Sequence, residues 1–222
     1  MVDLTSILDS LDNDGSYKDS GDKVPTDHNC YPTVPWQDRE PMCVIEPDLE
    51  RGPWIAGGAA LRWYQGQTVG DNDIDVFCRD AKQAAEVIER VKSYGRYHVK
   101  HESENAVTIQ YHRFSEYNNN WTIQIITRRY FPSLQSVIDN FDITVCQIGT
   151  TGTEWLMAPR TAQDIRQRDL RFTYPLHADC VKRLTKYWVY GYRPVPGTLE
   201  AIQASPDTKW KFNETGDYEN AF

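Results

Sequence analysis

Apolar and polar positions in this chain follow two periods, and the switches between them mark out its elements. Pro53 to Ala56 is a short apolar run that predicts a strand, and Ala59–Gln65 predicts a helix opened by Gly57 and Gly58. Ile74–Cys78 predicts a second strand. Asp73 and Asp75 stand two apart at its start, so both carboxylates point to one face. Ala81–Tyr94 sets Ala85, Val87, Ile88 and Val91 among Glu and Lys, which predicts a helix with one buried stripe, stopped by Gly95. Tyr97–Lys100 and Ala106–Tyr111 predict strands, joined as a hairpin through Glu102–Asn105. Asn118-Asn119-Asn120 predicts a turn, and the alternating, β-branched Trp121–Thr127 a strand. Ser133–Asn140 reads as a helix, Ile143–Ile148 as the strand that follows Asp142, and Glu154–Met157 as its partner across a Thr150–Gly152 turn. Thr161–Leu170 and Ala178–Tyr190 read as helices that Pro194 and Pro196 bring to an end.

This order predicts an α+β fold: a mixed β-sheet core with helices on one side and a C-terminal helical flank. Residues 1–35 read as an acidic tail, rich in Asp, Ser, Gly and Pro, with Leu4, Ile7, Leu8 and Leu11 at helical spacing. Residues 36–158 form the expected core, 159–196 the helical flank, and 197–222 a second tail. No internal repeat is evident.

At 222 residues the chain is long enough to bury a proper core. Its net charge of −8 is unevenly placed: residues 1–50 hold 12 of the 32 acids and 3 of the 24 bases, so the rest is close to neutral. Between Arg160 and Arg193 eight basic residues stand against Asp164, Asp169 and Asp179. That excess suits a polyanion, or equally a solvated helix face. Five scattered cysteines (Cys30, Cys43, Cys78, Cys146 and Cys180) and no Cys-x-x-Cys predict a reduced, cytoplasmic protein. No run is long and apolar enough for a membrane span, and no signal peptide is evident. The five histidines show no zinc spacing.

The candidate chemistry lies in the Gly57-Gly58 pair and the Asp73-Ile74-Asp75 strand. Adjacent carboxylates repel unless a cation lies between them, and hard cations such as Mg²⁺ take carboxylate and phosphate oxygens. A turn without Cβ atoms lets backbone N–H groups approach a phosphate. Together these describe a site for a metal–triphosphate complex.

An apolar residue, Gly-Gly, a spacer and Asp-x-Asp with apolar neighbours resembles the nucleotidyltransferase superfamily of DNA polymerase β, the tRNA CCA-adding enzymes and the antibiotic nucleotidyltransferases. Phe141-Asp142-Ile143-Thr144-Val145 resembles its third carboxylate element, and Arg183-Leu-Thr-Lys186-Tyr187-Trp-Val-Tyr-Gly191 a late segment of small members found in bacteriophages and large DNA viruses. The resemblance spans roughly residues 52 to 193. It implies a nucleotidyltransferase fold and transfer of a nucleoside monophosphate from a nucleoside triphosphate, ATP by default, to a hydroxyl, with Mg²⁺ or Mn²⁺. It implies Asp73, Asp75 and Asp142 as metal ligands and catalytic groups. Gly57, Gly58, Ala59, Arg62, Arg183, Lys186 and Tyr187 are implied as nucleotide-binding. Tyr187 and Tyr192 are candidates for stacking on a base, or for the core.

Many members carry Ser after the glycine; here Gly58 and Ala59 stand there, so the phosphate grip differs. Asp71 is a fourth acid nearby, and Asp139 competes with Asp142 but falls in the preceding helix. The acceptor is an RNA or tRNA end, a protein or a small molecule, with the basic last third leaning to nucleic acid. The alternative is a catalytically weak nucleotide- or partner-binding protein on the same fold, such as a viral modulator of a host factor.

Overall fold

A computed structural model gives the structure of the protein and describes residues 33–94, 96–112, 120–173, 176 and 179–204. After a 3₁₀ turn, Trp36–Asp38, come α1 (Arg39–Ile45), β1 (Trp54–Ala56), α2 (Gly58–Tyr64), β2 (Asp73–Phe77) and α3 (Ala81–Ser93). Strands β3 (Arg96–Glu102), β4 (Ala106–His112) and β5 (Asn120–Ile126) follow, then α4 (Leu134–Ile138), β6 (Ile148–Thr150) and β7 (Trp155–Met157). The last described third holds α5 (Thr161–Gln167), β8 (Asp169–Leu170), α6 (Cys180–Val189), β9 (Arg193–Pro194) and α7 (Thr198–Ala204).

Seven strands form one mixed sheet in the order β3-β4-β5-β2-β1-β6-β7. The β2–β5 pair is parallel and the other pairs are antiparallel. This is the expected α+β class. The period-2 pattern of the strands sets the two faces. Ile55, Ile74, Val76, Ile123 and Ile125 pack against α1, α2 and α3 through Val44, Trp63, Val87 and Val91. Each such side chain contributes about 1.5–3 kcal/mol when fully buried. Asp80 caps α3, its Oδ1 accepting from the Gln83 N–H at 2.8 Å.

The other face is covered only in part. Trp54 and Ala56 meet the short α4 through Leu134, Val137 and Ile138. So α1, α2 and α3 lie on one side, and the short α4 sits on the opposite one. A second cluster joins Leu61 of α2 and Ile148 of β6 to Ile165, Leu170, Leu184 and Ile202, and so fixes the C-terminal flank.

Three expected elements change. Ile143–Ile148 is not one strand: Thr144–Cys146 is a 3₁₀ turn and only Ile148 onward joins the sheet. Thr144 instead donates its N–H to Arg171 O at 3.0 Å, and its carbonyl accepts from the Thr161 hydroxyl at 2.8 Å. Tertiary partners outweigh the β-branched propensity here. The helix expected over Thr161–Leu170 stops at Gln167, because Arg168 is left-handed (φ 57°) and Asp169–Leu170 pairs with Arg193–Pro194. Within the stretch read as a second tail, Thr198–Ala204 is helical and buries Ile202. Asn120 belongs to β5. The Leu4–Leu11 helix, the Gly95 stop, Asn118 and Asn119 of the turn, and 205–222 of the tail lie outside the described residues.

Candidate active site

The uncovered part of the second sheet face is where β2 sends its polar positions. Ile74 and Val76 go into the core, so Asp73 and Asp75 point the other way. Their neighbours across the parallel β5 register are Thr122 and Gln124. Helix α6 stands opposite, and a cavity of about 640 Å³ lies between. It brings together Asp73, Asp75 and Asp142 with Arg62, Arg183 and Lys186. Gly58 and Tyr187 also line it, whereas Gly57 and Ala59 do not.

Asp73 is exposed and Asp75 half-buried. Burial, and then the charge of Asp73, push the Asp75 carboxyl up to about 7, against the pull of Lys186 and Arg183. Two neighbouring carboxylates repel each other, and a divalent cation between them would remove that repulsion. Asp73 and Asp75 therefore fit a divalent ion. Asp142 differs from its expected part as a third ligand. It is 3% exposed, its Oδ1 accepts from Arg183 Nη1, and its buried Oδ2 has no hydrogen-bond partner among the described residues. Among the described residues, no three Asp, Glu, His or Cys side chains gather closely enough to hold one metal ion. Asp142 also lies in a bend before the 3₁₀ turn rather than on a strand.

The glycines act differently from each other. Gly57 has φ 82°, and a Cβ there would stand 2.9 Å from the Phe141 ring, so no other residue fits without displacement. Its N–H goes to Ile148 O at 2.9 Å, which commits it to the sheet rather than to a phosphate. Ala59 is buried in the core. Gly58 is the open one, with Tyr187 Oη 3.8 Å from the place of a Cβ.

Arg62 donates Nε to Thr68 O at 2.7 Å and, like Lys186, lies over the Tyr190 ring, at 5.9 and 6.0 Å. Tyr187 and Tyr192 are packed rather than free to stack. Tyr187 meets Tyr190 and Tyr192 edge-on, and its hydroxyl is 2.7 Å from Cys146 Sγ. Burial pushes the Cys146 thiol up to about 11, so it is no nucleophile near neutral pH. Asp71 and Asp139 are not among the cavity-lining residues, and Asp139 accepts from Gln135 at 2.7 Å.

Sequence reading missed several lining groups: Gln65, Asn72, Gln124 and Tyr190. Tyr190 donates to Asn72 Oδ1 at 3.1 Å across 118 residues, a separation no local pattern reports. Arg168 was legible only as one of the eight basic residues between Arg160 and Arg193, and its left-handed backbone was not.

Fold and site together define an α+β protein with a carboxylate pair facing a cationic helix across a polar cavity. The profile of the Gabija anti-defense 2 family, Gad2, matches residues 39–168. The chain belongs to that family. Comparison with curated proteins gives no match. Among solved structures, a CCA-adding enzyme in complex with ATP is similar at 19% identity and a TM-score of 0.49, covering 68% of this chain and 37% of its own. A CCA-adding enzyme with CTP gives 17%, 0.48, 68% and 38%. The Thermotoga maritima CCA-adding enzyme complexed with tRNA gives 16%, 0.46, 68% and 37%. The matched region thus spans well under half the length of these structures. Among the described residues, no helix is long and apolar enough to cross a membrane.

Proposed function

We propose that this chain is a metal-dependent nucleotidyltransferase that moves a nucleoside monophosphate from a nucleoside triphosphate to a hydroxyl and releases pyrophosphate. The observation that carries this reading is the Asp73–Asp75 pair set across one cavity from Arg183 and Lys186. Asp73 and Asp75 would hold the cation, Mg²⁺ or Mn²⁺, which when bound neutralises charge building on the phosphates. Lys186 and Arg62 lie where they can neutralise the leaving pyrophosphate. Asp142, with Oδ1 held by Arg183 and Oδ2 buried, would act through Arg183, and the proton of the incoming hydroxyl would leave to solvent. The protein's share is positioning and charge, since phosphoryl transfer needs little covalent chemistry from it. The family designation supports a target in the Gabija defence, and we take the acceptor to be a hydroxyl of a protein or nucleic acid of that system.

Incubation with each of four α-³²P-labelled nucleoside triphosphates, Mg²⁺ or Mn²⁺, and extract containing the target tests the reading. Label should transfer with the wild-type chain and fall at least about 100-fold in Asp73→Ala/Asp75→Ala. RNase or protease sensitivity of the label names the acceptor class. Absence of label with every nucleotide, alongside nucleotide binding, would sink the transferase reading. It would favour the second one, a nucleotide- or partner-binding protein, which the Asp142–Arg183 pairing supports.

A further inference from the structure

Asp142 and Arg183 stand where the sequence places a third metal ligand and a phosphate-binding cation, yet they are bound to each other. Asp142 is almost fully buried, while the Arg183 side chain is 41% exposed. A guanidinium has five N–H donors and does not lose its proton. With Nη1 on Asp142 Oδ1, its other donors remain available on the cavity side. Two metal ions that clamp one phosphate stand about 3.5–4 Å apart and need shared carboxylate ligands. Arg183 holds Oδ1 of Asp142 and Oδ2 is itself buried, so Asp142 could join such a pair only if this carboxylate moved from its place. Arg183 and Lys186 also line the same cavity as Asp73 and Asp75. Positive charge at this end of the cavity is thus already supplied by the chain.

We propose that the cavity takes a single divalent cation, on Asp73 and Asp75, and that Arg183, locked in place by Asp142, supplies the second positive charge and meets the triphosphate directly. Asp142 is then a positioning residue for Arg183 and not a metal ligand. The triphosphate in this statement rests on the transferase reading; the count of cations does not. Arg fits the task better than Lys because a planar fork can serve a carboxylate on one edge and a phosphate on another.

Mn²⁺ titration of the full chain, followed by the free-ion EPR signal, counts bound ions without any turnover. The expected result is one ion per wild-type chain, kept in Asp142→Asn and lost in Asp73→Asn/Asp75→Asn. Two ions per wild-type chain, loss of an ion in Asp142→Asn, or no bound ion at all overturns the proposal. The wild-type count requires no variant to fold. Calorimetry with inorganic triphosphate and Mn²⁺ tests the other half. Affinity should drop about tenfold or more in Arg183→Met and in Asp142→Asn, and recover in part in Arg183→Lys. Unchanged affinity in Arg183→Met overturns the role of Arg183. Label transfer by a chain that binds two ions would end this inference and leave the transferase standing. One ion without transfer of any label would do the reverse.

Discussion

Asp38 and Asp142 are equally buried, at 3% exposure each, and the chain treats them in opposite ways. Asp38 is answered by neutral donors from three directions. Trp121 Nε1 reaches its Oδ1 at 3.0 Å, and Trp63 Nε1 and the Val69 N–H reach its Oδ2 at 2.8 and 2.7 Å. Those bonds tie the start of the described chain to α2, to the loop after it and to β5. Asp142 has one side-chain partner among the described residues, the guanidinium of Arg183, and a second, buried oxygen with none. Asp75, nearby, has another carboxylate for a neighbour. A buried carboxylate surrounded by fixed N–H groups is finished and holds the fold together. One left with a single cation and a buried oxygen that no described residue satisfies is unfinished by the fold alone.

The comparison breaks most visibly at Asp38. Asp38→Ala leaves two indole N–H groups and a backbone N–H buried without an acceptor, at about 1–3 kcal/mol each before relaxation. A net loss of about 3–5 kcal/mol is expected, read as a lower urea midpoint at unchanged slope. A loss under about 1 kcal/mol would show that the cluster is not what holds these elements.

This cluster also shows why the sequence revealed the site sooner than the scaffold. Gly57-Gly58 and Asp73-Ile74-Asp75 are local patterns, and β1, α2 and β2 form where those patterns predict. The stripe of α3 and the alternation of β5 were legible for the same reason. Asp38 lies in an acidic stretch, and its partners come 25, 31 and 83 residues later. Nothing near it in the chain marks it as buried. Asp142 was legible as a site residue from Phe141-Asp142, but its pairing was not, since Arg183 stands 41 residues on. The Ile143–Ile148 run misled because its β-branched side chains also suit a turn once Arg171 and Thr161 take its hydrogen bonds. The loss of a free Gly57 N–H was hidden too, because its acceptor lies on β6.

A smaller and opposite effect is expected at Asp75. Its carboxyl titrates near 7 in the folded chain, against an ordinary value of 3.8. The folded state therefore holds that proton more tightly than the unfolded state does. Its contribution to stability is full below about pH 4, is lost as pH rises toward 7, and is flat beyond. Melting temperatures measured in EDTA should decline across that window for the wild type, and Asp75→Asn should remove the decline attributable to this group. Mg²⁺ or Mn²⁺ added at pH 8 should restore the wild type and leave the variant unmoved. Parallel pH curves for both proteins would mean that Asp75 is as finished as Asp38.

The smallest change in stability is expected at Arg168, where it sharpens the contrast most. Arg168 adopts a left-handed backbone that a side chain other than glycine enters at a cost of roughly 1–2 kcal/mol. In return its guanidinium lies 5.3 Å from the centre of the Tyr192 ring, a contact worth about 0.5–2 kcal/mol. Glycine would remove the strain and the contact together, and would add about 0.4–1 kcal/mol of unfolded-state entropy. These terms nearly cancel, so Arg168→Gly should shift stability by no more than about 0.5 kcal/mol. A residue retained at such a position for the fold alone gains almost nothing. Arg168 also lines the cavity, beside a Tyr192 whose hydroxyl accepts from Gln65 at 3.1 Å. Its side chain can therefore also meet what enters there. Weaker nucleotide binding by Arg168→Gly at near-constant melting temperature would put it with Asp142 among the unfinished groups. A large fall in melting temperature with binding intact would put it with Asp38.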